Sequence, residues 1–188
     1  MPPLSFNPQL STRQISIIVL MTATCISTNY LMLGLVNVKV MDLIIFALGL
    51  SLGSAVGVTV GVLTWLIYGT LNPYGFSLPI LIATCVGESV YGLAGGALKK
   101  SNFYGSPQSG SKYLSIGAKF AILGFLLTFV YDQFTNIVSA LTIGLPIYIG
   151  LVMGVPFSII HEISNAAFFL IGAAPLIELI KRFNGQGR

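Results

Sequence analysis

Long apolar stretches separated by short polar segments dominate this chain. Between Asp42 and Glu88 there is no charged residue at all. A soluble domain cannot bury so long an uncharged run, whereas a bilayer requires one. Crossing a hydrocarbon core of about 30 Å takes about 20 helical residues, and several of the stretches reach that length. The pattern therefore predicts an all-α integral membrane protein in which helical spans alternate with loops.

The polar interruptions divide the chain into candidate spans and connections. The predicted spans are residues 15–36, 41–68, 78–98, 113–131 and 147–176. Residues 69–77 form a turn-rich loop, 101–111 a Gly/Ser-rich connection, and 132–146 a mixed segment predicted as a partly helical cap. We expect one transmembrane helical domain over residues 13–182, an N-terminal tail over 1–12 and a C-terminal tail over 183–188.

The 41–68 stretch allows two helix counts. As one helix it would be about 42 Å long, well beyond the bilayer core. We favour two shorter helices with a break near residues 51–54, which gives six helices in all, and five helices are the alternative. Glycines at every fourth position, Gly49, Gly53, Gly57 and Gly61, favour one helical face against which a neighbouring backbone packs closely.

The sparse charges indicate the orientation. Hydrophobic residues make up 55% of the chain and charged residues 7%, with a net charge of +4. The basic residues gather between two spans and at the end of the chain, as is typical of cytoplasmic loops: Lys99, Lys100, Lys112, Lys181, Arg182 and Arg188. Arg13 favours the six-helix version, in which both termini are cytoplasmic. We therefore expect a multi-pass protein of the cell membrane.

The same composition argues against several other classes. The basic residues form no face with interleaved aromatic residues, so we expect no nucleic-acid partner. Cys25 and Cys85 lie within apolar runs, and neither a CxxC motif nor a Cys/His cluster is present. We expect no metal and no cofactor.

Ionisable side chains inside predicted spans are the first candidates for function, because each costs roughly 2.5–3.5 kcal/mol to insert. Glu88 and Tyr91 share one helical face, and His161 and Asn165 share another beside Glu162. These groups either converge on a polar ligand between helices or form a structural pair, with His161 bonded to Glu88 or Glu162.

A second group of candidates lies near the predicted outer side. It contains aromatic and polar residues from two segments: Trp65, Tyr68, Asn72, Tyr74, Tyr131, Asp132, Gln133 and Asn136. Tyrosine and tryptophan are enriched at any membrane interface, so an aromatic belt explains these residues. The alternative is that the two outer segments cover a binding pocket, to which Asn72, Tyr74, Tyr131, Asp132 and Asn136 contribute.

Catalysis is not favoured by the motifs. The segment from His161 to Asn165 begins like the H-E-x-x-H motif of zinc proteases, but Asn165 stands at the second histidine position. The chain has no other histidine, which excludes a zinc protease of this type. Fragments of the segment also resemble CAAX-protease-type intramembrane glutamic proteases, whose second histidine and paired glutamates are missing here. We expect no enzyme.

Four features together resemble the substrate-binding S-components of energy-coupling factor (ECF) vitamin transporters, over residues 12–182. The first is Arg13 before a first helix that carries the pair Ala23 and Ser27, and the second is the segment from Met41-Asp42-Leu43 through the glycine ladder to Trp65. The third is the pair Lys99-Lys100 that closes the fourth helix. The fourth is a last helix that runs from Gly154-Val155-Pro156-Phe157 through His161 to Asn165.

The resemblance implies a six-helix protein with both termini in the cytoplasm. It implies capture of a vitamin from outside, beneath loops that follow helices one, three and five, and delivery within a complex of a membrane T-component and two ATPase subunits. Ala23 and Ser27 would face the T-component, although the family usually has alanine at both positions. Pro2 departs from the histidine that nickel/cobalt members carry there.

The main hypothesis is thus a non-catalytic substrate-binding subunit that captures a small, vitamin-like molecule. Two intramembrane carboxylates and several rings favour a flat, nitrogen-rich or cationic ligand, such as a thiamine-like compound. The alternatives are a stand-alone small secondary transporter or channel, in which Glu88 and His161 relay protons, and a structural membrane scaffold that binds no solute.

Overall fold

The fold was obtained as a computed structural model, which describes residues 11–73, 75–101 and 110–184, with side chains omitted for 110–113. These residues form six α-helices and no strand. The helices are α1 (Thr12–Leu31), α2 (Met41–Leu52), α3 (Ser54–Thr70), α4 (Leu78–Lys100), α5 (Gly110–Thr142) and α6 (Ile147–Phe183). The predicted all-α class is confirmed. The predictions on Tyr74, on Lys112 and Arg188 and on most of both tails lie outside the described residues.

The helices alternate in direction. Gly87 and Tyr91 of α4 meet Tyr131 and Thr128 of α5, in that order, so α4 and α5 are antiparallel. Asp132 and Asn136 of α5 meet His161 and Ser158 of α6, so α5 and α6 are antiparallel too. The Tyr30 hydroxyl at the end of α1 donates to the Leu71 carbonyl just beyond α3, so α1 and α3 run in the same direction. The two ends of the bundle are therefore distinct. We name them the cavity end and the basic end.

Charge separates the two ends. The basic end holds the start of α1 and α5 and the last turns of α4 and α6. Six lysines and arginines lie at it or within the first third of α5: Arg13, Lys99, Lys100, Lys119, Lys181 and Arg182. Among the described residues Lys39 alone carries a positive side chain toward the cavity end. This asymmetry matches the one by which membrane proteins orient their loops.

The predicted break in the 41–68 stretch is confirmed, and Gly53 makes it. Its backbone φ of 113° lies in a region that side chains with a Cβ rarely adopt. There α2 ends and α3 begins, and the two helices fold back on each other as a hairpin. A Cβ at Gly57 would lie 2.9 Å from the Ile45 carbonyl oxygen and 3.0 Å from the Gly49 Cα. Glycine is therefore required for this approach.

The glycine ladder does pack helices, but not as one face. Because the chain reverses at Gly53, Gly49 lies on α2 while Gly57 and Gly61 lie on α3. Gly49 and Gly57 both meet the backbone of Gly92 on α4. The prediction of four glycines on one helical face is wrong for this reason, and the ladder instead joins three helices.

Helix α2 forms the centre of the bundle, with all twelve of its residues buried. It packs against α1, α3, α4 and α6, and the Phe46 ring contacts Phe120 of α5 and Phe169 of α6 at centroid distances of 5.8 and 5.2 Å. At twelve residues it is about 18 Å long, which is shorter than the hydrocarbon core. Its first residue therefore lies inside the bundle and not at its end.

Four helices are long and apolar enough to cross a membrane: α1, α4, α5 and α6. Their outward faces carry aliphatic side chains, for example Val19, Ile122 and Ile163, which are 60–64% exposed. Charged side chains such as Asp42, Glu88 and Asp132 are buried instead. Apolar residues outside and ionisable residues inside are compatible with a multi-pass membrane protein.

Three predicted helix ends are wrong. Helix α5 does not end at Tyr131 but continues to Thr142, so the predicted cap over 132–146 is helix for most of its length. The polar residues Asp132, Thr135, Asn136 and Ser139 recur at helical spacing and line the cavity. The helix can therefore continue without placing these side chains in an apolar environment. Helix α6 continues beyond 176 to Phe183. Helix α1 ends at Leu31, five residues earlier than predicted, and an irregular segment over 32–40 leads to α2.

The packing at Gly92 gives a stability prediction. Replacing Gly92 with Ala places a Cβ 2.7 Å from the Gly57 carbonyl carbon, so α3 and α4 must separate. We expect Gly92→Ala to reduce the free energy of unfolding by about 1–3 kcal/mol, the usual cost of overpacking. The measurement is the thermal unfolding midpoint of the detergent-extracted protein.

Gly34→Ala is the matched control. It adds the same methyl group where no atom lies within 4 Å. Equal midpoints for the two variants would show that close backbone contact at Gly92 does not stabilise the bundle.

Candidate functional site

A cavity of about 520 Å³ opens at the cavity end of the bundle. Its walls come from the end of α1, the irregular segment over 32–40, the ends of α3 and α5, the start of α4, and Phe157 of α6. A volume of this size falls within the range of small-molecule sites, which are typically 300–1,000 Å³. The lining mixes apolar side chains with amides, hydroxyls, one lysine and one aspartate, as in a site for a polar organic solute.

Aromatic rings form one part of the wall. Trp65 and Tyr68 of α3 contact each other edge to face at a centroid distance of 5.7 Å, and Tyr131 of α5 also lines the cavity. The Lys39 ammonium lies 4.9 Å from the centre of the Trp65 ring and 5.7 Å from that of Tyr131. Both distances are within the range of cation–π attraction. These rings therefore accept a cation, here the chain's own lysine.

Beneath the cavity lies a buried polar network centred on His161. Its Nδ1 lies 2.9 Å from an Asp132 carboxylate oxygen, and its Nε2 lies 2.8 Å from an Asp42 carboxylate oxygen. The histidine is fully buried, and the two aspartates are 5% and 1% exposed. One imidazole thus joins α5 and α6 to the first turn of α2.

We call Asp42, Asp132 and His161 the trio. The rules of hydrogen bonding limit where its protons can lie. A carboxylate oxygen only accepts, so two ionised aspartates require both ring nitrogens of His161 to donate. The other arrangement is a neutral ring with one protonated aspartic acid. Both arrangements hold the same number of protons and give the trio a net charge of −1. Lys39 interacts electrostatically with Asp42 and His161 and supplies a balancing positive charge.

The network extends away from the cavity through amide and hydroxyl groups. The Asn165 amide donates both to Asp42 and, at 2.8 Å, to the Thr128 hydroxyl. The Tyr91 hydroxyl donates to the same Thr128 oxygen at 2.9 Å. Helices α2, α4, α5 and α6 are therefore joined by one connected set of hydrogen bonds, which fixes how deep α2 lies in the bundle.

Glu88 of α4 is buried against α3. Its carboxylate accepts a hydrogen bond of 3.1 Å from the Trp65 indole N–H, and it interacts electrostatically with Asp42. The indole ring thus connects the cavity wall to a buried carboxylate.

Two buried oxygens at the cavity have no hydrogen-bond partner among the described residues. They are Oδ2 of Asp132 and Oδ1 of Asn29, and both residues line the cavity while being only 5% and 4% exposed. Leaving such an acceptor unpaired costs about 1–3 kcal/mol. Native proteins retain these groups where a ligand or an ordered water completes them.

The structure divides the predicted site residues into three groups. Four line the cavity: Asn72, Tyr131, Asp132 and Asn136. Four belong to the buried network or its continuation: Glu88, Tyr91, His161 and Asn165. Glu162 is buried next to His161 on α6 but does not line the cavity. Tyr74 lies outside the described residues.

The predicted structural pair for His161 is wrong in its partners. Both ring nitrogens contact aspartates, Asp132 and Asp42, so neither Glu88 nor Glu162 is bonded to the ring. The remaining predicted pair, Ala23 and Ser27, is exposed on the outward face of α1.

Four site residues were missed by the sequence reasoning: Asn29, Lys39, Asp42 and Thr128. Lys39 and Asp42 lie between two apolar runs, where charged residues usually mark a membrane interface. A signal for Asp42 was nevertheless present. A helix that begins at residue 41 and breaks near 51–54 is too short to cross the bilayer, so one of its ends must lie inside. Nothing in the local sequence marks Asn29.

No family model matches this chain, and no curated protein or solved structure matches it either. Within the described residues, no group of three or more His, Cys, Asp or Glu side chains is placed to hold a metal ion. The assignment of function therefore depends on the cavity and the network beneath it.

The trio gives a prediction about stability. We expect His161→Leu to destabilise the protein by about 3–5 kcal/mol, because it leaves two buried carboxylates without their shared partner. Thermal unfolding of the extracted protein measures the effect.

Asp42→Asn tests the coupling in the same assay. Added to His161→Leu, it removes one of the stranded charges, so the double variant should be more stable than the sum of the two single effects predicts. Strictly additive effects would contradict a direct interaction across the imidazole.

Proposed function

We propose that this chain is the membrane-embedded substrate-binding subunit of an ECF-type transporter. It captures a small, vitamin-like solute from outside the cell for ATP-driven uptake by partner subunits. The observation that carries the proposal is the cavity of about 520 Å³, which is lined by aromatic and polar side chains and closed beneath by a buried network. Such a cavity suits binding rather than passage, because α2 lies directly under it.

The orientation of the cavity supports uptake. The basic residues gather at the opposite end of the bundle, which by the positive-inside rule is the cytoplasmic end. With six alternating helices, both termini then lie in the cytoplasm and the cavity opens to the outside. A solute would enter past the irregular segment over 32–40 and the loop over 71–77.

The partners follow from the resemblance to ECF S-components. In the proposed complex, ATP is hydrolysed by two ATPase subunits that are joined to this chain through a membrane T-component. The exposed face of α1 at Ala23 and Ser27 is the surface we assign to the T-component, since small side chains let another helix approach closely. The chain itself is assigned no catalytic step.

A stand-alone secondary transporter or channel is the second candidate. It is favoured by the hydrogen-bonded path from Asp132 at the cavity through His161 to Asp42 and Asn165. Buried ionisable groups in series are typical of proton relays in membrane transporters. In this function the trio would carry protons, and transport would need no ATPase.

Two measurements decide between these functions. Mass spectrometry of the detergent-extracted protein should find one small organic molecule in near-stoichiometric amount. Uptake of that molecule into proteoliposomes should require the T-component, both ATPase subunits and ATP. Uptake by this chain alone would favour the second candidate, and the absence of any bound solute would favour a structural scaffold.

The aromatic wall gives a prediction for the bound solute. Tyr131→Leu removes a ring from the cavity, so we expect at least a tenfold loss of solute affinity, measured as the amount that copurifies. Tyr148→Leu is the matched control, because Tyr148 is 69% exposed and does not line the cavity. Equal loss in both variants would argue against binding at this wall.

A further inference from the structure

We propose that the cavity recognises a planar ring through an edge that carries at least two N–H donors, such as an amidinium or an aminated heterocycle. This inference rests on the proposed function and specifies its ligand. The geometry behind it is the pair of unpartnered buried acceptors, Asp132 Oδ2 and Asn29 Oδ1, in one aromatic-walled cavity.

Both side chains are held in place through residues at the start of α2. The other carboxylate oxygen of Asp132 is fixed by His161, which is itself held by Asp42 on α2. The amide N–H of Asn29 donates to the sulfur of Met41, the residue next to Asp42. The start of α2 therefore orients the two side chains, and each keeps one buried oxygen without a hydrogen-bond partner beside the cavity.

Whether the ligand must donate or accept hydrogen bonds follows from the chemistry of these two oxygens. Carboxylate and amide oxygens accept hydrogen bonds, so the groups that satisfy them must donate. Lys39 does not do so. Its ammonium lies over the Trp65 and Tyr131 rings, and the ion pair of Asp132 is made with His161. The donors must come from whatever fills the cavity.

The shape of the ligand follows from the rings. Trp65, Tyr68 and Tyr131 offer flat apolar faces in the same cavity, and such faces suit another planar group. A cation or a partly positive nitrogen ring gains further from these faces, as the position of Lys39 shows. A donor edge on a flat ring satisfies both the oxygens and the wall.

The test uses two isosteric probes of opposite hydrogen-bonding character. Benzamidine presents donors and benzoate presents acceptors on the same planar frame. Trp65 is the only tryptophan of the chain and lies in the cavity wall, so its fluorescence reports occupancy directly. With the full chain in lipid nanodiscs, we expect benzamidine to bind at least tenfold more tightly than benzoate.

Asp132→Asn turns the unpartnered acceptor into a donor while conserving shape. Its amide oxygen remains opposite His161, and its NH₂ group takes the place of Oδ2. We expect the preference for benzamidine over benzoate to fall at least tenfold. Glu178→Gln is the matched control, since it makes the same chemical change near the basic end of α6, away from the cavity, and should leave the preference unchanged.

Asn29→Asp keeps the inference testable if Asp132→Asn does not fold. It retains the acceptor and adds negative charge, so benzamidine should bind more tightly and benzoate more weakly. Equal or tighter binding of benzoate in the unmodified protein overturns the proposal, as does binding of neither probe. A copurified solute without N–H donors overturns the donor edge but leaves the proposed function standing. Absence of any solute together with failure of both probes overturns both.

Discussion

The close approach of three backbones at Gly49, Gly57 and Gly92 is the constraint on which this structure depends. It allows α2 to lie in the middle of the bundle with every residue buried. No hydrophobic effect drives helices together within lipid, so close packing and hydrogen bonding must do so. A side chain at Gly49 would push α2 away from α4, and one at Gly57 or Gly92 would push α3 away from its neighbours.

The His161 trio adds a second constraint on the position of α2, beside the close packing at the glycines. Close packing places α2 among its neighbours, but the contact of Asp42 with His161 and Asn165 fixes it along its axis. The same contact orients Asp132 at the cavity. Stability and recognition are therefore linked through one imidazole, and a substitution there affects both.

Much of the fold could be predicted from the sequence. The uncharged run was sufficient for the all-α class, and its length beyond the bilayer core predicted the break at Gly53. The length of α5 could not be predicted in this way. Asp132, Gln133 and Asn136 have the composition of a loop, and only the facing helix α6 makes a continued helix favourable. Asn136, for example, donates to Ser158 across that interface.

The site was predictable only in part, for the same reason. Ionisable residues in the middle of a span, such as Glu88 and His161, are conspicuous in any apolar sequence. Lys39 and Asp42 are not, because charges at the edge of an apolar run usually mark an interface. Their position inside the bundle depends on partners far along the chain, which no local pattern records.

That separation has a consequence for biogenesis. Asp42 and His161 are 119 residues apart, and His161 belongs to the last helix to be synthesised. During translation, the Asp42 carboxylate therefore has no imidazole to pair with while α3, α4 and α5 are being made. The native contact can form only after the last helix has been synthesised.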